Sequence, residues 1–134
     1  AEVTLNVELG ENIPKINCYP GKLSQVFMNL VTNAVQATRL PGRQPIDRVI
    51  NVRSFFKDNK ICVEIQDNGN GIPKGIQEKI FEPFFTTKDV GEGTGLGLSI
   101  VAGIVGEHNG QLSFTSNPNE GTTFLITLPI DSKN

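Results

Sequence analysis

Residues 91–103, GEGTGLGLSIVAG, place glycine at 91, 93, 95 and 97 and then run directly into an apolar, helix-like segment. A glycine-rich loop that opens a helix is a phosphate-holding arrangement, so the first test is whose. A GxGxxG pattern started at Gly91 meets Leu96 where its third glycine belongs, and one started at Gly93 meets Leu98. No GK[ST] follows either, so neither a dinucleotide-binding fold nor a P-loop is supported. What remains is the helix N-terminus itself, whose free N–H groups and positive dipole end hold an anion without side-chain charge. Lys88, just upstream, reads either as a mobile cation for outer phosphates or as a solvated loop lysine.

That economy of charge suits the whole chain. Its 134 residues carry a formal net charge of -2, too little Lys and Arg surplus for a nucleic-acid footprint. The length fits one domain, residues 1–134, able to bury a single core without staples. At 37% hydrophobic and 19% charged residues the composition is that of a soluble globular protein. No apolar run approaches the roughly 20 residues of a membrane span, and AEVTLNVELG at the start is neither a basic nor an apolar signal. Cys18 and Cys62 stand in apolar stretches without CxxC spacing and read as core thiols in a reducing compartment. A cytoplasmic domain with no membrane contact of its own is expected, and the start at Ala1 with the polar end DSKN suggests a piece of a longer chain.

The periodicities order the elements. Residues 3–9 alternate apolar and polar, predicting a half-buried strand; residues 22–38 bring Leu23, Phe27, Leu30, Ala34 and Ala37 onto one helical face. Residues 48–56 and 60–67 read as an antiparallel hairpin, 75–81 as a turn or two of helix, 98–107 as a largely buried helix, and 110–116 with 122–130 as a second strand pair. Strands and helices mixed in this order favour a sheet covered by helices on one side.

Three further groups of residues carry chemistry. Gln25, Asn29, Asn33 and Gln36 form a polar stripe beside the apolar face of the first helix. It reads as a solvated face, or as paired amide oxygens suited to Mg²⁺, which keeps waters and completes its shell with phosphates. DNGNGIP, residues 67–73, reads as an Asx-Gly turn, or as a carboxylate, Asp67, accepting from an exocyclic amine while Gly69 and Gly71 let a flat ring approach the backbone. FEPFFTTK, residues 81–88, crowds phenylalanines that either bury against the core or dock a loop or partner. His108, before Asn-Gly, reads as a helix-ending residue.

In this order QVFMNLVTNAVQA, DNGNGIP, FEPFFTTK, GEGTGLGLSIV and NEGTTF resemble the N, G1, F, G2 and G3 boxes of the catalytic, ATP-binding domain of bacterial sensor histidine kinases. That domain shares a superfamily with gyrase B, Hsp90 and MutL. The resemblance covers nearly the whole chain. It implies an α+β fold, the two-layer α/β sandwich called the Bergerat fold, with a mixed, about five-stranded sheet, helices on one face and a flexible ATP lid. It implies ATP and Mg²⁺ as cofactors. On the matching positions, Asn33 resembles the Mg²⁺ ligand, with ATP phosphates and water, and Asn29 its companion near the phosphates. Asp67 resembles the reader of the adenine amine. Gly69 and Gly71 resemble the floor of the base pocket, with Ile72 packing on the ring. Lys88 would contact phosphate, so Asn29, Asn33 and Lys88 are the catalytic candidates. Gly93, Gly95, Leu96 and Gly97 resemble the lid and helix entry, and Thr122 resembles the threonine that supports the adenine end through Asp67 and water. Phe84, Thr94 and Leu98 complete the nucleotide-binding set.

Hydrolysing members of the superfamily place a glutamate one helical turn before the metal-binding asparagine, as base for water. Here that position is Asn29, and an amide cannot take the proton. The implied function is transfer of the γ-phosphoryl of Mg-ATP to a histidine on a partner dimerisation domain in two-component signal transduction, serving a response regulator indirectly. That helical hairpin is not among these residues. The alternatives are a nucleotide-sensing module without chemistry and an anti-sigma-type serine kinase; the full F box and GTGLGLSIV favour the histidine-kinase branch. Two departures stand out: Tyr19 replaces a helix-capping aspartate, so other contacts must hold that helix start, and Gln36 replaces a basic residue. No role is evident for the linker 37–48.

Overall fold

Asp58 and Asn59 both take positive φ, 55° and 60°. This two-residue turn matches the right-handed twist of the strands it joins. In the computed structural model, which describes residues 3–11, 13–16, 18–39, 48–82, 97–117 and 120–130, that turn closes the expected hairpin. The elements are β1 (Val3–Glu8), α1 (Pro20–Ala37), β2 (Arg48–Lys57), β3 (Lys60–Asp67), a 3-10 turn at Lys74–Lys79, α2 (Gly97–Glu107), β4 (Gln111–Asn117) and β5 (Gly121–Pro129). The sheet runs β1-β2-β3-β5-β4, with β1 parallel to β2 and every other pair antiparallel. It is mixed and five-stranded, as expected. Both helices lie on one face, α1 against β2, β3 and β5, α2 against β4 and α1.

Directly opposed strand residues share a face, so the register lays the core out in rows. One row across the sheet is Val52, Ile65, Phe124 and Phe114, and the next toward the β3 amino end is Ser54, Val63, Ile126 and Leu112. Onto these rows α1 sets Leu23, Val26, Leu30 and Ala34, at the three-and-four spacing of a single helical face. From α2 come Val101, Ile104 and Val105. Leu30, Ile50, Ile65, Ile126, Val26, Val101 and Val105 are each under 2% exposed, and each contributes roughly 1.5–3 kcal/mol by leaving water. Phe81 packs edge-on against Phe114, ring centroids 5.8 Å apart, so this phenylalanine of FEPFFTTK belongs to the core. Cys62 is buried and Cys18 half-buried against the core, and both are free thiols.

Three expectations are corrected. Helix α1 begins at Pro20 rather than Lys22: proline stops a helix from within but suits its first turn, where its missing N–H has no partner to lose. Helix α2 begins at Gly97, one residue earlier than expected. Strand β1 is not half-buried, since Leu5 and Val7 are 52% and 55% exposed. Its alternation is real, but the helices rest on the other strands, so its apolar side stays largely uncovered. Among the described residues no helix is long and apolar enough to cross a membrane.

Each end of α1 is held from a distance. At its C-cap, buried Thr38 donates Oγ1 to the Val35 carbonyl at 2.7 Å and accepts from Arg48 Nε at 3.1 Å. Arg48 Nη2 also reaches the Val35 carbonyl. A cation against the last carbonyls satisfies them and opposes the negative dipole end. The linker 37–48, unassigned from sequence, therefore ends in a helix cap.

Candidate functional site

At one end of the helix-facing side of the sheet the apolar rows give way to a polar one. Ile50, Asp67, Thr122 and Ser116 stand opposite one another across β2, β3, β5 and β4. Asp67 is 6% exposed. Its Oδ1 accepts the Gly69 N–H at 2.8 Å, and the Thr122 N–H donates to the same carboxylate. Burial pushes its pKa above the ordinary carboxylate value, and the two backbone donors pull the other way. An ionised carboxylate offers about four lone-pair sites, so two backbone donors leave it able to accept from a third.

The hydroxyls of the row tie the following turn down. Ile72 N–H donates to Ser116 Oγ at 2.7 Å, Ser116 Oγ lies 2.8 Å from Thr122 Oγ1, and it reaches the Gly121 carbonyl at 3.3 Å. With its proton on that carbonyl, Ser116 accepts from both Ile72 and Thr122. On the other side Asn68 exchanges bonds with β2: Val49 N–H to Asn68 Oδ1 at 2.9 Å, and Asn68 N–H to the Val49 carbonyl at 3.3 Å. Gln77 Nε2 donates to the Ile72 carbonyl at 2.9 Å. The turn is a pinned floor. Gly71 takes φ 77° within it, and Ile72 is half-buried against the core.

Two glycines let this floor meet its neighbours. A Cβ on Gly69 would overlap the Ala37 carbonyl, and one on Gly121, at φ 115°, would overlap the Asp67 carbonyl. The floor thus packs on the last turn of α1. Gly69→Ala is expected to destabilise the chain by about 1–3 kcal/mol, because backbone rather than a pliable side chain must give. A urea unfolding curve checks this, and an unchanged midpoint would contradict the close approach.

Going back along α1 from Ala37, Asn33 lies one turn away and Asn29 two, about 6 and 12 Å at 1.5 Å per residue. Both are half-buried, as is Gln36, while Gln25 is exposed. Asn33 and Asn29 sit one above the other. The N-terminal end of α1 meets the C-terminal end of α2, where Lys22 Nζ lies 2.7 Å from Glu107 Oε2. The helices therefore pack antiparallel. Counting ten residues back from Glu107, about 15 Å, brings Gly97 level with residues 32 and 33 of α1. Gly97 and Leu98 are half-buried, and on this count the first α2 amides stand beside the asparagine stripe. Phe84, Lys88, Gly93, Thr94, Gly95 and Leu96 lie outside the described residues.

Along α1 the site therefore has a carboxylate end with its pinned floor and then a stripe of amides, with the N-terminus of α2 beside that stripe. Such a set accepts a planar group bearing an N–H donor at one end and an anion at the other. Sequence reasoning missed Ser116, although a hydroxyl continuing the Leu112, Phe114 alternation marks a polar residue on a core-facing row. It missed Arg48 and the long-range contact of His108 as well.

The chain matches the family described as histidine kinase-, DNA gyrase B- and HSP90-like ATPase over residues 18–132. It is 38% identical to the sensor kinase CckA of Brucella abortus over 96% of its own length, and 39% identical to the signal transduction histidine-protein kinase AtoS of Escherichia coli over 98%. It spans only 14% and 20% of those two proteins. Among solved structures it resembles the catalytic domain of histidine kinase ThkA, with 32% identity, TM-score 0.74, and coverage of 94% of this chain and 80% of that one. The mycobacterial sensor histidine kinase MprB superposes at TM-score 0.78 with 27% identity, covering 95% and 81%. By its motif order, its fold and these relatives, the chain belongs to the histidine kinase-, DNA gyrase B- and HSP90-like ATPase family, as the ATPase catalytic domain of a sensor histidine kinase.

Proposed function

We propose that this domain binds ATP with Mg²⁺ and passes the γ-phosphoryl to a histidine on a separate dimerisation domain, working in the cytoplasm upstream of a response regulator. The observation that carries the reading is the buried Asp67. It is a carboxylate held by two backbone N–H groups at the end of an apolar sheet face, with a row of amides leading away from it. In this reading Asp67 accepts from the adenine amine, which guanine's carbonyl edge cannot supply, and Gly69, Gly71 and Ile72 meet the ring. The phosphates lie along Asn33 and Asn29 toward the amides of Gly97 and Leu98. Phe84, Lys88, Gly93, Thr94, Gly95 and Leu96, which lie outside the described residues, are the remaining nucleotide-binding residues of this proposal, and Thr122 supports Asp67.

The donor set fits Mg²⁺. Asn33 offers a hard amide oxygen, with Asn29 one turn along the same stripe, and Mg²⁺ takes few protein ligands when phosphates and water complete its octahedron. Bound there, it would neutralise phosphate charge. Asn29 stands where a glutamate would activate water, so that position supplies no base and the bound nucleotide hydrolyses slowly. Phosphoryl transfer then depends on positioning an outside nucleophile.

Mixing the domain with a separately made histidine hairpin and γ-labelled ATP tests the reading. Acid-labile label on the hairpin histidine, with little phosphate released when the hairpin is left out, is the expected result. Tight ATP binding without labelled histidine would leave a nucleotide-sensing module instead.

A further inference from the structure

Tyr19 holds the N-cap of α1 and has no side-chain bond to the helix's free amides. Its own backbone N–H instead donates to His108 Nε2 at 3.1 Å, across 89 positions of sequence. A backbone amide can only donate, so Nε2 carries a lone pair and the proton rests on Nδ1. Nδ1 then donates to the Ile104 carbonyl at 2.8 Å. The imidazole is 4% exposed. It acts as a spacer of fixed tautomer between the last turn of α2 and the residue before α1.

The surroundings hold the spacer in place. His108 is the C-cap of α2, closed by Asn109 at φ 57°, Gly110 N–H on the Val105 carbonyl at 2.9 Å and Asn109 N–H on the Gly106 carbonyl at 3.0 Å. The Tyr19 ring meets the imidazole edge-on at 5.6 Å, and Lys22, paired with Glu107, lies 5.1 Å over the Tyr19 ring. Apolar contact between the helices is non-directional; the two imidazole hydrogen bonds are not. A helix is stiff along its axis, so any slip at this junction appears undiminished about 15 Å away, at Gly97.

We propose that His108 is a positioning residue for the nucleotide's phosphates. Through Tyr19 it fixes the axial register of α2 against α1, and with it the gap between the α2 N-terminal amides and the Asn33, Asn29 stripe. This rests on the ATP-site reading above, and it assigns His108 no contact with nucleotide. The Asp67 end is pinned by β2, β4 and β5 and packs on the C-terminal turn of α1, the end away from the junction.

The test uses His108→Asn and His108→Gln in the full chain, titrated with adenosine, ADP and ATP in Mg²⁺. The Asn amide overlies Nδ1 and keeps the Ile104 bond without reaching Tyr19; the longer Gln reaches the Tyr19 N–H. His108→Asn is expected to lose about tenfold in ATP affinity, the size usual for a residue that orients ligands from behind. It should lose less for ADP and nothing for adenosine, and His108→Gln should restore most of the loss. If His108→Asn does not fold, Tyr19→Pro deletes the donor and leaves the imidazole, with the same graded loss expected. Equal loss for adenosine and ATP, or no loss in a folded variant, overturns the proposal while leaving the site reading intact. A wild-type chain that binds no ATP overturns both.

Discussion

Asp67→Asn is expected to weaken ATP binding about 10–100-fold and to erase most of the preference for ATP over GTP. In the wild type three donors converge on one carboxylate: the Gly69 N–H, the Thr122 N–H and, in the proposed complex, the adenine amine. An asparagine offers one oxygen and turns an N–H₂ toward at least one of those donors. Hydrogen bonds to a charged partner contribute roughly 1.5–3 kcal/mol each, which sets the range, at about 1.4 kcal/mol per tenfold. Calorimetric titration of both variants measures it, and an unchanged ATP affinity would remove Asp67 from the adenine end.

The same carboxylate gives a pH signature. Burial raises its folded-state pKa above the ordinary 3.8, so between those two values the folded chain binds more protons than the unfolded one. Its contribution to stability is therefore complete below 3.8 and is lost as pH rises through the folded pKa, then flat. Nucleotide binding runs the other way. A protonated Asp67 cannot accept on both oxygens, so ATP affinity should fall as pH drops into that window. Asp67→Asn should flatten both profiles.

Asn33→Ala is the second large effect. ATP affinity in Mg²⁺ should fall at least about tenfold, while metal-free binding changes by less than about threefold, since the lost group is an oxygen ligand to the cation. Alanine is the better helix former, so helix propensity works against any loss of folding, and a thermal melt run alongside separates the two. Equal losses with and without Mg²⁺ would contradict metal ligation by Asn33. Asn29→Ala, two turns from the floor, serves as the comparison, with a smaller and less metal-dependent loss.

Local signals carried the fold furthest. The hairpin turn between residues 48–56 and 60–67, the spacing of Leu23, Leu30 and Ala34, and the helix-ending His108 are each decided by neighbours in sequence, and the structure has a turn at Asp58–Asn59, that helical face and a helix end at Glu107. What depended on distant partners was not legible. The alternation of β1 names the apolar side of the strand, yet whether Leu5 and Val7 are covered depends on where α1 crosses the sheet. Asp67 was recognised from its turn, but Ser116, which holds that turn, is joined to it only through the β4–β5 register. Tyr19 showed that an ordinary cap was missing. That its amide instead meets His108, from the far end of α2, needed the tertiary structure.

In the proposed complex the site reads adenine at Asp67 and holds a magnesium-bound triphosphate along α1. One calorimetric titration of the wild-type chain with ATP, ADP and GTP, each with and without Mg²⁺, tests it most directly. ATP and ADP are expected to bind, with a gain from Mg²⁺ that is larger for ATP, and GTP to bind at least about tenfold more weakly. GTP bound as tightly as ATP, or an ATP affinity indifferent to Mg²⁺, would contradict it.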